Sequence, residues 1–461
     1  MNERLSWRRL LLAAAAAGTT SLAACVTRPS SAEMPPIVFV PGNGDSAALW
    51  MTTFWRFESN GWPRERLHAI DMPYPLARDD DAKEQPGRSS TAEHMAFLAA
   101  EVKRVLAATG ASKVALVGNS RGGYAIRNFV AFGGGAPMVS HVVLGGVPNH
   151  GVVFNTSQGV GNEFNGAGPF LARLNAAQGP NGEEVTPGIR WMTIRSDHED
   201  RYAQPDGASF GRPGLVTNVT YEGPALRGAE NVVIAGVDHR ETAHSRKAFA
   251  EMFRFLAGRL PATLDIVAED RIVLDGIVSG LGLANANGNF PTNLPLAGAT
   301  LEVYETDPAT GERKGQAKHR KSIGGDGRWG PFVAAAGARH ELVVAAPGYA
   351  TTHLYRSPFP RSSNIVSCHP ERLEAADRDA GALIIFNRVR GYFGVPRDRA
   401  VLDGASPPPG VPRGVPTVSS SRLKLADTAS RAVVGEFNNE RIVGRTWPAA
   451  DNHVVVLELT S

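Results

Sequence analysis

Lys113-Val-Ala-Leu-Val-Gly118-Asn-Ser120-Arg-Gly122-Gly-Tyr-Ala-Ile-Arg-Asn-Phe-Val-Ala-Phe132 is the stretch from which the fold can be read. Residues 113–117 form a short apolar run of the kind a buried strand needs, and residues 123–132 carry a helical pattern. Between them, glycines at 118 and 122 let the backbone turn sharply from strand to helix. That turn leaves the Ser120 hydroxyl at the C-terminal edge of a sheet, where the following helix contributes positive potential.

Working outward, similar apolar runs recur at 37–40, 141–144, 191–194 and 232–234, alternating with helical patterns. Met95, Leu98, Ala99, Val102, Val105 and Leu106 repeat at helical spacing behind Ser90, and Glu93 completes a capping box. A last helix places Phe249, Met252, Phe253 and Leu256 on one face. Strands alternating with helices imply a doubly wound, mainly parallel sheet covered on both sides, an α/β fold. Beyond Leu260-Pro261 the character changes. Strand-like runs at 300–304, 341–345, 383–386 and 454–459 are separated by Gly, Pro and Asn clusters, which predicts a β-rich sandwich or barrel. Residues 406–421, with three prolines at 407–409, read as an exposed loop of that half.

The length of 461 residues fits two or three domains. The expected division is a targeting segment over 1–25, an α/β domain over 26–261 and a β-rich domain over 262–461. A formal charge of +3 and no Lys/Arg block in the body of the chain argue against a nucleic-acid partner. No His/Cys/Asp/Glu cluster has metal-ligand spacing and no Walker loop is present, so neither metal nor cofactor is expected.

Gly118-Asn119-Ser120-Arg121-Gly122, placed between strand and helix, resembles the nucleophile elbow of α/β-hydrolases. Residues 35–260 accordingly look like a serine ester hydrolase of that superfamily, nearest to lipases, and Val147-Pro-Asn-His-Gly151 is similar to a turn found in them. The resemblance implies a catalytic order of Ser, acid, His. His239, on the loop after the run 231–236, fits the base, with His244 and His150 as other histidines in reach. The acid is expected after the strand at 191–195, where Asp197, Glu199 and Asp200 compete. Asp200 opens Asp200-Arg-Tyr-Ala-Gln-Pro205, which resembles the pattern following the acid in serine lipases. Oxyanion donors are implied at the N–H groups of Arg121 and Asn43, the latter in Pro41-Gly-Asn-Gly-Asp45 and helped by Gly44. The long segment 151–188, with Phe154, Phe164, Phe170 and Leu174, reads as a partial lid or acyl-binding wall, or as a surface insertion. In the β-rich half, Leu296-Ala-Gly-Ala-Thr-Leu-Glu-Val-Tyr-Glu305 and the stretches 324–330 and 342–349 resemble transthyretin-like or carboxypeptidase-regulatory-like sandwich modules.

The N-terminus carries its own message. Arg8-Arg9 followed by leucines and an Ala-rich core resembles a twin-arginine export signal, with Trp7 departing from the usual pattern and ordinary secretion as the alternative. Ala23-Ala24-Cys25 resembles a lipobox, which implies a lipidated Cys25 and an exported protein anchored to a membrane without spanning it. Cys368 then remains as a free, structural thiol. Together these features predict an exported serine carboxylesterase or lipase that acts on lipid or other ester substrates through an acyl-enzyme. The alternatives are a polyester depolymerase or acyltransferase on the same triad, and a non-catalytic surface-binding lipoprotein.

Overall fold

The computed structural model describes residues 34–197, 199–204, 214, 223–285 and 288–461. The targeting segment, with Arg8, Arg9 and Cys25, lies outside them.

Strand β1 (Ile37–Val40) shows why the first half forms layers. Its four residues are all buried, Ile37 and Phe39 in one core and Val38 and Val40 in another. Alternate side chains leave a strand on opposite faces, so a continuous apolar run is stable only with helices on both sides. The chain continues through α1 (Met51–Ser59), β2 (Leu67–Ala69), the short pair β3 (Leu76–Ala77) and β4 (Arg88–Ser89), and α2 (Thr91–Thr109). Then come β5 (Val114–Asn119), α3 (Arg121–Phe132), β6 (Val139–Gly145), α4 (Pro169–Leu174), β7 (Arg190–Ser196), β8 (Glu230–Ile234), α5 (Glu241–His244) and α6 (Arg246–Ala257). The main sheet has the order β2-β1-β5-β6-β7-β8, and every pairing in it is parallel. Residues of α1 and α6 pack on one face, those of α2 and α3 on the other. The capping box at α2 is formed: Ser90 Oγ accepts the Glu93 N–H at 3.2 Å, and Glu93 returns a carboxylate oxygen to the Ser90 N–H at 2.7 Å.

The second half is β-rich. It comprises β9 (Ile272–Leu274), β10 (Ser279–Asn285), β11 (Gly288–Pro295), β12 (Thr300–Thr306), β13 (His319–Ser322), β14 (Phe332–Ala334), β15 (Arg339–Ala345) and β16 (Thr351–Arg356). These are followed by β17 (Ala382–Asn387), β18 (Ala400–Leu402), β19 (Ser420–Leu425), β20 (Ala432–Phe437), β21 (Glu440–Arg445) and β22 (His453–Glu458). A seven-stranded sheet runs β13-β12-β15-β16-β22-β17-β19, with β22 parallel to both its neighbours. One face buries Leu301, Val344, Leu354, Ile385 and Val456; the other buries Ile384, Phe386, Val455 and Leu457 against the smaller sheet β18-β20-β21. Cys368 is a fully buried free thiol, and burial pushes its pKa up to about 11.

The two halves share a core. Met51 and Trp55 of α1 pack with the β-rich cluster, and Trp55 Nε1 donates to the Ser362 carbonyl at 2.9 Å. Among the described residues no helix is long and apolar enough to cross a membrane.

Candidate active site

Ser120 sits at the tip of β5 with φ 50° and ψ −123°, a backbone conformation that side chains other than hydrogen rarely adopt. Helix α3 begins at once with Arg121, two residues earlier than its sequence pattern starts. Close packing accounts for the flanking glycines. A Cβ on Gly122 would lie 2.4 Å from the Val40 carbonyl oxygen, and one on Gly118 would lie 2.9 Å from the Gly123 nitrogen. Gly123 is equally constrained, since its Cβ would fall 2.2 Å from Val147 Cγ2.

His239 follows β8 on the loop leading into α5 and is buried beside this elbow. Its Nδ1 lies 2.9 Å from Asp200 Oδ2. A carboxylate only accepts, so Nδ1 carries the hydrogen and a neutral ring keeps Nε2 as its basic nitrogen. Asp200 is itself buried after β7, and its Oδ1 takes the Tyr202 N–H at 2.8 Å. The Tyr202 ring meets the imidazole edge-on at 4.6 Å between centroids. The His239 carbonyl is held by Thr242 Oγ1 at 2.7 Å and by Asn119 Nδ2 at 3.3 Å, so the residue before Ser120 grips the histidine loop directly. Gly146 makes room for this, because a Cβ there would lie 2.9 Å from the His239 carbonyl oxygen. Ser120 and His239 line one cavity of about 860 Å³, with no hydrogen bond between them among the described residues. Such contacts are often long until substrate is bound.

Neither the Asn43 nor the Arg121 N–H has an acceptor among the described residues, and Asn43 lines the same cavity. Gly44 cannot assist, because its N–H donates to the Pro75 carbonyl at 3.1 Å. Asn43 is held by its own side chain, which accepts the Ala77 N–H at 2.7 Å.

Three of the competing residues are engaged elsewhere. Asp197 accepts the N–H groups of Glu199 and Gly236 and shapes the loop after β7. His244 ends α5 with Nε2 donating to the Arg390 carbonyl, and burial depresses its pKa to about 3. His150 pairs with Glu184 at 3.2 Å. Part of the segment 151–188 forms a wall of the cavity. Phe164 lines the cavity and packs with Phe170 on Tyr124, and Leu174 is fully buried, while Phe154 faces solvent.

That wall is anchored by side-chain contacts that the sequence does not announce. The Arg121 side chain is fully buried and grips Glu163 through two bonds, 2.7 and 2.9 Å. The remaining guanidinium donors reach Ser89 and the Pro75 carbonyl. Desolvation still pushes the Glu163 carboxyl upward against the pull of Arg121. A second anchor joins the β-rich half to the histidine loop. Asp238, wholly buried next to His239, accepts Arg388 Nη1 at 2.8 Å, Arg397 Nη2 at 3.3 Å and the Tyr392 N–H at 2.7 Å. Glu241 pairs with the same two arginines. The seam brings Tyr392 into the cavity wall. On the other side, Asn293 of β11 donates to the carbonyls of Asp45 and Met72, at 3.0 and 2.9 Å, and so supports the Asn43 loop. No local motif marks these pairs, since each joins positions far apart in sequence. Among the described residues no group of three His, Cys, Asp or Glu side chains is placed to hold a metal ion.

The sequence model of the alpha/beta hydrolase fold matches residues 35–163, and that of the lipase C-terminal domain matches residues 270–373. The chain has the α/β-hydrolase fold. The assignment rests on the parallel sheet, the elbow at Ser120 and the family match together. Among solved structures similar to this chain is lipase B of Aspergillus fumigatus, at 14% identity over 50% of this chain and 54% of that one, with a TM-score of 0.35. The match thus spans about half the length of that lipase. The mature lipase BlEst2 of Bacillus licheniformis is 20% identical over 48% of this chain and 92% of its own, with a TM-score of 0.35. A monoacylglycerol lipase of Paleococcus ferrophilus is 13% identical over 49% and 96% respectively, at 0.32. No curated protein matches the chain.

Proposed function

We propose that the chain is a carboxylic ester hydrolase of the lipase and esterase kind, with Ser120 as nucleophile, His239 as base and Asp200 as its orienting acid. The observation that carries this reading is the His239–Asp200 pair, whose histidine lines the same cavity as a serine held on a strained strand-to-helix turn. In this scheme His239 Nε2 takes the Ser120 proton as Oγ attacks the ester carbonyl, and Asp200 stabilises the resulting imidazolium. The N–H groups of Asn43 and Arg121 receive the oxyanion. His239 then returns the proton to the leaving alcohol, and water repeats the sequence on the acyl-enzyme. Export and anchoring through a lipidated Cys25 belong to the same proposal, supported by the Arg8-Arg9 and Ala23-Ala24-Cys25 stretches.

The test is hydrolysis of p-nitrophenyl esters of increasing acyl length, beside Ser120→Ala, Asp200→Asn and His239→Ala. Turnover lost in all three variants supports the triad. Activity surviving Ser120→Ala rules it out.

A further inference from the structure

The cavity beside Ser120 has an uneven charge lining. Its ionisable walls, tyrosines aside, are Asp45, Asp79, Arg201 and His239. Asp45 is paired with Arg240, Asp79 meets Arg88 at 3.5 Å and Gln85 at 2.9 Å, and His239 is bound to Asp200. Arg201 has no carboxylate partner among the described residues. Its Nη1 donates to a neutral group, the Thr417 carbonyl; Nε is enclosed without an acceptor; Nη2 has no hydrogen bond. The guanidinium is held against two rings, Tyr202 at 5.2 Å and Tyr392 at 5.6 Å. Tyr392 is buried, is packed also by Arg240 at 5.0 Å, and its hydroxyl has no hydrogen-bond partner among the described residues.

A planar cation fixed by aromatic rings keeps its N–H edge for a ligand, and the edge of a guanidinium matches the two oxygens of a carboxylate or phosphate. By contrast, three other arginines near the cavity each pair with a carboxylate: Arg121 with Glu163, Arg240 with Asp45 and Arg388 with Asp238. We propose that Arg201, with the Tyr392 hydroxyl, forms a subsite for an oxyanionic group of the substrate, so that the preferred esters carry a carboxylate or phosphate on the acyl or the alcohol side. The inference rests on the ester-hydrolase reading above and gives it a substrate class. It also gives the β-rich half a direct part in selectivity, since Tyr392 and Thr417 both come from it.

The experiment compares kcat/KM of the full chain on two matched pairs: p-nitrophenyl hydrogen adipate against p-nitrophenyl hexanoate, and 1-hexanoylglycerol 3-phosphate against 1-hexanoylglycerol. The Ser120→Ala rate is subtracted throughout. The anionic member of at least one pair is expected to be favoured about tenfold or more, the yield of a charge-assisted hydrogen bond. The preference should reside in KM and shrink as salt is raised. Which pair responds tells whether the anion belongs to the acyl or the alcohol side. Arg201→Gln should bring the ratio to near one, Arg201→Lys should keep part of it, and Tyr392→Phe should lower it. A ratio of one or less in both pairs, with Ser120-dependent turnover of the neutral esters intact, overturns the subsite and spares the hydrolase reading. So does a ratio unchanged in Arg201→Gln. Absence of Ser120-dependent turnover on every ester removes the hydrolase reading and the subsite with it. Should Arg201→Gln fail to fold, the wild-type ratios and their salt dependence decide alone.

Discussion

Ser120 carries both the proposed chemistry and the strain, and the two separate by substitution. Ser120→Ala and Ser120→Gly both remove the nucleophile, and each is expected to lower ester turnover by about ten-thousand-fold or more. Only glycine relieves φ 50° and ψ −123°. Backbone strain of this kind is about 1–3 kcal/mol and exceeds the extra unfolded-state entropy of glycine, so Ser120→Gly should unfold at a higher temperature than Ser120→Ala. Scanning calorimetry on the two variants checks it. Gly122→Ala tests the opposite case. Its methyl would meet the Val40 and Pro41 carbonyls at 2.4 and 2.6 Å, backbone atoms that cannot rotate away. A loss of about 1–3 kcal/mol in denaturant unfolding is expected. Turnover should fall as well, because the displaced strand end leads into the Asn43 loop.

At the level of elements, the seam between α5 and the segment after β17 is built from charges shut away from water. Asp238→Asn leaves Arg388 with Glu241, and Arg397 with Glu241 and Asp398, as remaining carboxylates, and breaking a buried pair such as Arg388–Asp238 costs about 3–5 kcal/mol. Thermal unfolding should show that loss, and labelling of Ser120 by a serine-directed phosphonate should slow well below the transition. Replacing both partners, Asp238→Asn with Arg388→Met, should recover stability more fully than labelling, since the loop beside His239 stays loosened. Legibility in sequence divides along the same line. The run at 37–40 coincides with β1, β5 is shifted a residue or two toward the C-terminus of its run, and β6 and β7 extend theirs at both ends, whereas the run at 232–234, expected to be buried, belongs to the sheet-edge strand β8, of which only Ile234 is buried. The edge strand β2 is three residues long, too short for any periodicity, and goes unread. The meeting of Asp200 and His239 could be anticipated because each lies on a loop leaving a readable strand. Asp238 with Arg388, and Arg121 with Glu163, are ordinary surface-type residues in sequence. Only folding brings them together. The proline-rich stretch 406–421 reads as exposed loop, yet Val411 is buried and Thr417 receives Arg201.

At the scale of the whole molecule, acid should weaken the structure partly through buried histidines. His244 is held neutral, its pKa lowered from 6.5 to about 3 by burial. A group whose folded pKa lies below its unfolded one favours folding at neutral pH and loses that contribution as pH falls from 6.5 toward 3, because the unfolded chain takes up the proton first. The decline in melting temperature across that window should be shallower in His244→Gln than in the parent. Size matters too: a chain ending at residue 261 would uncover Met51 and Trp55 and strip Asp238 of its arginines. Such a fragment should be insoluble, or give a broad, non-cooperative transition by circular dichroism. The Asp238 seam has a bearing on how proteins of this layout can be recombined. Many multidomain chains are joined by linkers and can exchange modules like beads on a string. Here a graft of a foreign β-rich partner onto the α/β half would arrive without guanidiniums at two fixed points and without the tyrosine that follows the first of them. Chimaeras across this junction should therefore succeed only when the donor brings that trio along, and fail at the histidine loop long before they fail at the linker.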